Sequence, residues 1–173
     1  MSFPYVSQAG EHEQLEWLGE GIMEVLLDGQ RTGGALSMFR STLPSATASP
    51  VHVHSTEDEI ILMLSGSGLF WIGDRRFEVT AGGIVYLPRN IPHAYHVTSD
   101  QADMLAIATP SGVENFFRDA GWSLSRPKPA DWAVTPEILE KAAAENGQIL
   151  LGPPLGSDEM IPTAVIERFG RGH

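Results

Sequence analysis

The 173-residue chain contains no cysteine. That absence excludes disulfides, thiolate metal sites and a cysteine nucleophile, so any metal must be held by His, Asp or Glu. Basic residues are also scarce: 11 Lys and Arg stand against 22 Asp and Glu, giving a net charge of -11 and a pI near 4.8. Such a chain gains nothing from counterion release at a phosphate backbone or an anionic surface, which argues against nucleic acid and membrane partners. No window is long and apolar enough to span a bilayer, and the opening "MSFPYVSQAGEHEQ" has no basic stretch leading into an apolar run. A cytoplasmic location is therefore expected. Hydrophobic residues make up 42% of the chain, enough for one domain with a real core and too little length for two.

What is present falls into two textures. From Glu20 to Thr109, short apolar runs are punctuated by Gly, Pro, Asn and Asp, the pattern of an antiparallel sandwich or barrel. The runs predict strands near 20–27, 34–42, 50–54, 59–65, 68–72, 76–80, 84–87, 93–98 and 103–109. "SGSG" (65–68) and "GDR" (73–75) suit tight hairpins, and "TAGG" (80–83) supplies glycines for positive φ. Beyond residue 110 the period lengthens. "SGVENFFRDAG" predicts a helix capped by Ser111, with Glu114 three residues on, a stripe of Val113, Phe116, Phe117 and Ala120, and Gly121 as its stop. "TPEILEKAAAENG" predicts another, with Thr135 as cap, Pro136 at its first position and Gly147 as terminator. The expected layout is an N-terminal segment (1–33) with strands packing on a barrel (34–110), then C-terminal helices (111–147) and a Pro/Gly-rich tail (148–173).

The chemistry concentrates in "SPVHVHSTEDEIILMLSGSG" (49–68). Period two along a strand puts His52 and His54 on one face, with Val51 and Val53 opposite. Two imidazoles on one face can grip an ion, although chance supplies such pairs on protein surfaces too. Glu59 opens an apolar strand; pointing inward with Ile61 and Met63, its carboxylate needs a partner or a cation. His93 begins another strand, with Tyr95 and Val97 on its face and Ala94 and His96 on the other, and offers a third imidazole. Three imidazoles and a carboxylate suit one divalent first-row ion (iron, manganese, nickel, cobalt, copper or zinc), with one or two positions left open. Open positions point to chemistry rather than to a purely structural metal. Glu57 is the one rival to Glu59 as ligand; with Asp58 it falls in a connecting loop, where acids are usually solvated.

These residues resemble the two cupin motifs. His52, His54, Glu59 and Gly66 have the spacing of the first, and Gly82, Pro88 and His93 that of the second, over roughly residues 35–110. The pattern departs at Ala46 and Asn90, where glycines are usual, and at Val97, where asparagine often ends the second motif; none of these removes a ligand. The resemblance implies an all-β fold, a cupin jelly-roll β-barrel (double-stranded β-helix) of two facing sheets, with C-terminal α-helices and the metal inside one end.

The layout is similar to single-domain quercetin 2,3-dioxygenase-like proteins. That likeness implies a small-molecule substrate, a flavonol or related enol, and dioxygen, with Glu59 as both ligand and base. A metal-dependent isomerase or lyase acting on a keto acid or sugar, and a non-catalytic binding module, are the alternatives. Tyr95, Ile61, Met63, Met38 and Phe70 are candidates for the pocket wall, with barrel core as the plainer role; Phe39 and Trp71 stand in the same position. His96 is expected to face away from the metal, and His12 and His173 to be solvated. Ile60, Leu62 and Leu64 give the strand a second apolar face that needs cover, and a homodimer is expected.

Overall fold

The computed structural model describes residues 4–170, so His173 lies outside the described residues. Among the described residues, twelve antiparallel strands form two sheets. In chain order they are β1 (Glu13–Glu16), β2 (Ile22–Leu27), β3 (Ser37–Pro44), β4 (Pro50–His54), β5 (Asp58–Ser65) and β6 (Ser67–Ile72), then β7 (Arg75–Thr80), β8 (Ile84–Leu87), β9 (His93–Val97), β10 (Gln101–Thr109), β11 (Trp122–Ser123) and β12 (Gln148–Pro154). One sheet has the order β11-β1-β2-β3-β10-β5-β8 and the other β12-β4-β9-β6-β7. Helices α1 (Gly29–Thr32), α2 (Val113–Ala120), α3 (Pro136–Glu145) and α4 (Thr163–Phe169) complete the chain. None of them is long and apolar enough to cross a membrane.

The strands follow the alternation of their side chains. Along β3, Ser37, Phe39, Ser41 and Leu43 are buried, while Met38 and Thr42 are half-buried and Arg40 is exposed. Glu59, Ile61 and Met63 likewise point inward from β5. The inward rows of the two sheets meet in one core that includes Phe39, Leu43, Met63, Phe70 and Met104. At about 25 cal/mol per Å² of apolar surface removed from water, this burial is the main term holding the sheets face to face.

The turns divide by whether the chain changes sheet. Gly73 and Asp74 close a two-residue hairpin between β6 and β7, with Ile72 opposite Arg75. "SGSG" is not a hairpin, because β5 and β6 lie in different sheets and the chain crosses between them at Gly66. That corner demands glycine: φ is +81°, and a Cβ there would collide with the Gln101 carbonyl and Ser99 Oγ. Ala46 and Asn90, which stand where cupin glycines are usual, do hold the left-handed backbone, at φ 62° and 63°.

Two features of the C-terminal third differ from expectation. Helix α2 is capped by Gly112 rather than Ser111, a residue with no side chain of its own to cap the helix. Glu114 turns inward instead, accepting from the backbone N–H of Gly29 (2.8 Å) and of Gly112 (2.7 Å), and so ties α1 to the start of α2. Thr135 does cap α3, with Pro136 at its N-terminus, and Gly147 follows at φ +70°. The segment after Gly147 is more ordered than its Pro and Gly content implied. Gln148–Pro154 forms β12 and pairs with β4, and the following residues cover the outer face of the five-stranded sheet. There Val51, Trp71, Ala94, Leu155, Ile161 and Ile166 make a second apolar cluster, and the Trp71 indole N–H donates to the Glu159 carbonyl at 2.8 Å.

Candidate metal centre

Strands β4 and β9 are neighbours, with His52 directly opposite His93, and the inner face of β4 adds His54. The three imidazoles each offer a nitrogen within 4.8 Å of the others. Their ring centroids are 4.3 Å (His52–His93), 5.2 Å (His52–His54) and 5.2 Å (His54–His93) apart. Two backbone carbonyls orient the rings: Nδ1 of His52 lies 2.9 Å from the Pro50 oxygen and Nδ1 of His93 is 2.9 Å from that of Ile91. A neutral ring that donates from Nδ1 keeps its Nε2 lone pair for an ion. His93 Nε2 is buried and has no hydrogen-bond partner, an orphan that a metal would satisfy. Burial lowers the pKa of all three imidazoles, to about 3 for His54, so they are held neutral as ligands must be.

Glu59 enters from β5 in the facing sheet. Its Oε2 is 3.9 Å from His54 Nε2, at the rim of the imidazole group and outside the mutually close set. Burial first, and the charge of Glu57 second, push its carboxyl up to about 7. Three neutral imidazoles with a carboxylate at the rim are a donor set that fits a divalent first-row ion.

Glu57 departs from the solvated loop acid that its position implied. Only 5% of its surface is exposed, its Oε2 lacks a hydrogen-bond partner, and that atom lies 3.9 Å from the equally unpartnered Nδ1 of His54. It faces the back of the one imidazole that no carbonyl orients. Asp58 does stay at the surface, where it accepts from Arg89 through the backbone N–H (2.9 Å), Nε (3.1 Å) and Nη2 (3.0 Å), bonds that hold its carboxyl below the usual range.

A cavity of about 80 Å³ adjoins the imidazoles. Tyr95, Ile61 and Phe70 line it, whereas Met38 and Met63 do not. Met38 sits on the outward row of β3, and Met63 points inward but is packed into the core away from the cavity. Phe39 also lines the wall, while Trp71 faces the outer cluster. Phe116 and Phe117 of α2 and Leu139 of α3 close part of the cavity, so these helices cover the site. Phe117 meets Trp17 and Phe39 edge to face at 4.9 and 5.1 Å. Burial, and then the nearby Glu59, raise the Tyr95 hydroxyl above its ordinary pKa; it stays protonated and hydrogen-bonds with Trp17. His96 faces away from the site, its Nδ1 3.2 Å from the Leu155 carbonyl, and His12 pairs with Ser7 Oγ at 2.9 Å. Gln148 of β12 also lines the cavity. No motif marked it, because β12 itself was hidden by Gly152, Pro153 and Pro154.

Comparison with known proteins agrees with this architecture. Residues 39–110 match the family model described as Cupin domain. A quercetin 2,3-dioxygenase of Bacillus subtilis (strain 168) is 25% identical over 144 residues, covering 82% of this chain and 42% of that protein. The chain spans less than two thirds of the length of the curated relatives it matches. Among solved structures, a "predicted oxalate decarboxylase" from Thermotoga maritima has a TM-score of 0.57 at 22% identity, covering 61% of this chain and 99% of that one. An RmlC-like cupin from Shewanella frigidimarina gives 0.55 at 14%, covering 63% and 93%. Both likenesses are of fold. Two facing antiparallel sheets, the paired motifs and the match to the Cupin domain model over residues 39–110 agree, and the chain folds as a cupin-type jelly roll.

Proposed function

We propose that the chain is a metal-dependent dioxygenase of the quercetin 2,3-dioxygenase type, cleaving a flavonol or a related enol with dioxygen. The observation that carries this reading is the cavity wall. Beside the imidazoles it consists mainly of Trp17, Met23, Phe39, Phe70, Phe116 and similar side chains, with no Lys or Arg among the described residues that line it. A keto acid would carry its negative charge past Glu59 into apolar walls, and a sugar would set its hydroxyls against them, where an unpaired charge or hydroxyl is costly. A neutral, largely apolar enol meets no such cost. The name of the Bacillus subtilis relative supports the same chemistry.

His52, His54 and His93, with Glu59 at the rim, would hold the ion. Once bound, a divalent ion there supplies a Lewis-acid centre and, where redox-active, a route for electrons to dioxygen. Glu59, with a carboxyl near 7 and no hydrogen-bonded partner in the site, is placed to accept the substrate's hydroxyl proton at neutral pH. That leaves an electron-rich enolate for dioxygen to attack, while the phenylalanines of α2 exclude water. The free volume of about 80 Å³ is smaller than the roughly 150 Å³ that accommodates benzene in an engineered cavity. A three-ring flavonol thus requires α2 and α3 to move outward, whereas a small enol needs less.

The test is to strip the protein, reload it separately with each first-row ion, and follow flavonol and hydroxypyranone absorbance with oxygen uptake, in air and under argon. Substrate loss with stoichiometric oxygen uptake in air, none under argon, and loss of turnover in Glu59→Gln with metal retained are the expected results. Turnover under argon would replace the proposal with isomerase or lyase chemistry, and binding without turnover would replace it with a binding module. We further propose that the chain acts as a homodimer.

A further inference from the structure

We propose that Gln148 is the substrate-recognition residue of this cavity, donating from its side-chain amide to an oxygen adjacent to the one that faces the imidazoles. The inference rests on the metal-site reading above. Gln148 is the first residue of β12, directly opposite His54 on β4. Side chains of such a cross-strand pair share a face, here the inner one, with Cβ atoms about 5 Å apart. The residue is 5% exposed and lines the cavity, yet its Nε2 has no hydrogen-bond partner. A buried amide donor without an acceptor is costly, and native structures seldom keep one without a use.

Several neighbouring polar groups are partly engaged. Ser49 Oγ accepts from the Tyr95 backbone N–H at 3.1 Å, the Tyr95 side chain hydrogen-bonds with Trp17, and the Nδ1 atoms of His52 and His93 face carbonyls. Glu59, as a carboxylate, only accepts. The buried Gln148 amide is thus a neutral donor with no partner beside the imidazoles, and its complement is a carbonyl next to the hydroxyl, the arrangement of a hydroxy-enone. A simple phenol has the hydroxyl and lacks the acceptor. Gln148 would make this site select the first over the second.

Binding to zinc-loaded protein tests this without turnover. Calorimetric titration would compare 3-hydroxy-4-pyranone, which carries both oxygens, with phenol, which carries one. Gln148→Met keeps the side-chain volume and removes the donor; Gln148→Glu keeps the shape and serves where the methionine variant does not fold. The wild type should bind the pyranone more tightly than phenol. Either variant should weaken the pyranone about 10-fold, one hydrogen bond's worth, with phenol affinity within twofold and zinc content unchanged. Equal losses for both ligands would reduce Gln148 to a structural residue, and no loss, or a wild type that does not discriminate, would overturn the proposal. Elemental analysis of the same samples keeps the two readings apart: failure to hold zinc sinks the metal centre, whereas discrimination without aerobic turnover sinks only the dioxygenase.

Discussion

At the scale of single residues, the site is a problem in keeping protons off ligands. Burial holds the three imidazoles below their ordinary pKa, so they are neutral at pH 7 and release no proton to an incoming ion. Glu59 behaves oppositely: its carboxyl is raised to about 7, and below that pH an ion must displace its proton. If Glu59 ligates, metal affinity falls roughly tenfold per pH unit below 7 and levels off above it. Glu57 contributes to the shift through its charge, so Glu57→Gln moves the break to lower pH, and Glu59→Gln abolishes it. Competition titrations with a chelating dye between pH 5.5 and 8.5 read all three; a wild-type profile that is flat through pH 7 would remove Glu59 from the ligand set. The histidines and Glu59 were legible in the sequence because period two and motif spacing fix which side chains share a face. Glu57 was not, since nothing local reveals that a loop acid turns under the ring of His54.

At the scale of elements, apolar runs between turn residues made β2 through β10 readable, and in strands such as β3 and β5 a buried inner face imposes the alternation. β1 was missed as a short polar run, and β12 and α4 as a Pro-rich tail. Sequence punctuation marks where regular backbone ends, but it does not say whether the remaining residues find a surface to pair with. Here β12 finds the free edge of β4, and the residues beyond it find Trp71. Trp71 is fully buried and its indole N–H bonds the Glu159 carbonyl, so it clamps residues 155–166 to the barrel. Trp71→Ala should cost about 3–5 kcal/mol and expose the tail. A lower midpoint in urea together with new proteolytic cuts beyond Pro154 checks this; a destabilised protein whose tail stays resistant would show that the clamp lies elsewhere. Because β12 carries Gln148, a loosened tail should also weaken ligand binding.

At the scale of the whole molecule, one face remains unaccounted for. On the outside of the seven-stranded sheet, register aligns Leu27, Met38, Ile107, Ile60 and Tyr86 in a row, beside a second row of Arg40, Leu105, Leu62 and Ile84. The first row crosses five strands, about 19 Å at 4.8 Å per strand. Unlike the outer face of the other sheet, which the C-terminal residues cover, this one stays open: Ile84 is 70% exposed and Tyr86 55%. A contiguous apolar surface of that width on an otherwise acidic chain is unusual for a monomer and favours a partner face of the same kind. Two copies related by a twofold axis would satisfy it, each supplying the same rows. Light scattering after size exclusion should therefore give twice the chain mass. Ile84→Arg, at a position too exposed to matter for folding, should shift the protein to monomer at micromolar concentration while metal content and thermal midpoint change little. A wild type that runs as a monomer, or a variant that stays dimeric, would move the interface elsewhere or remove it.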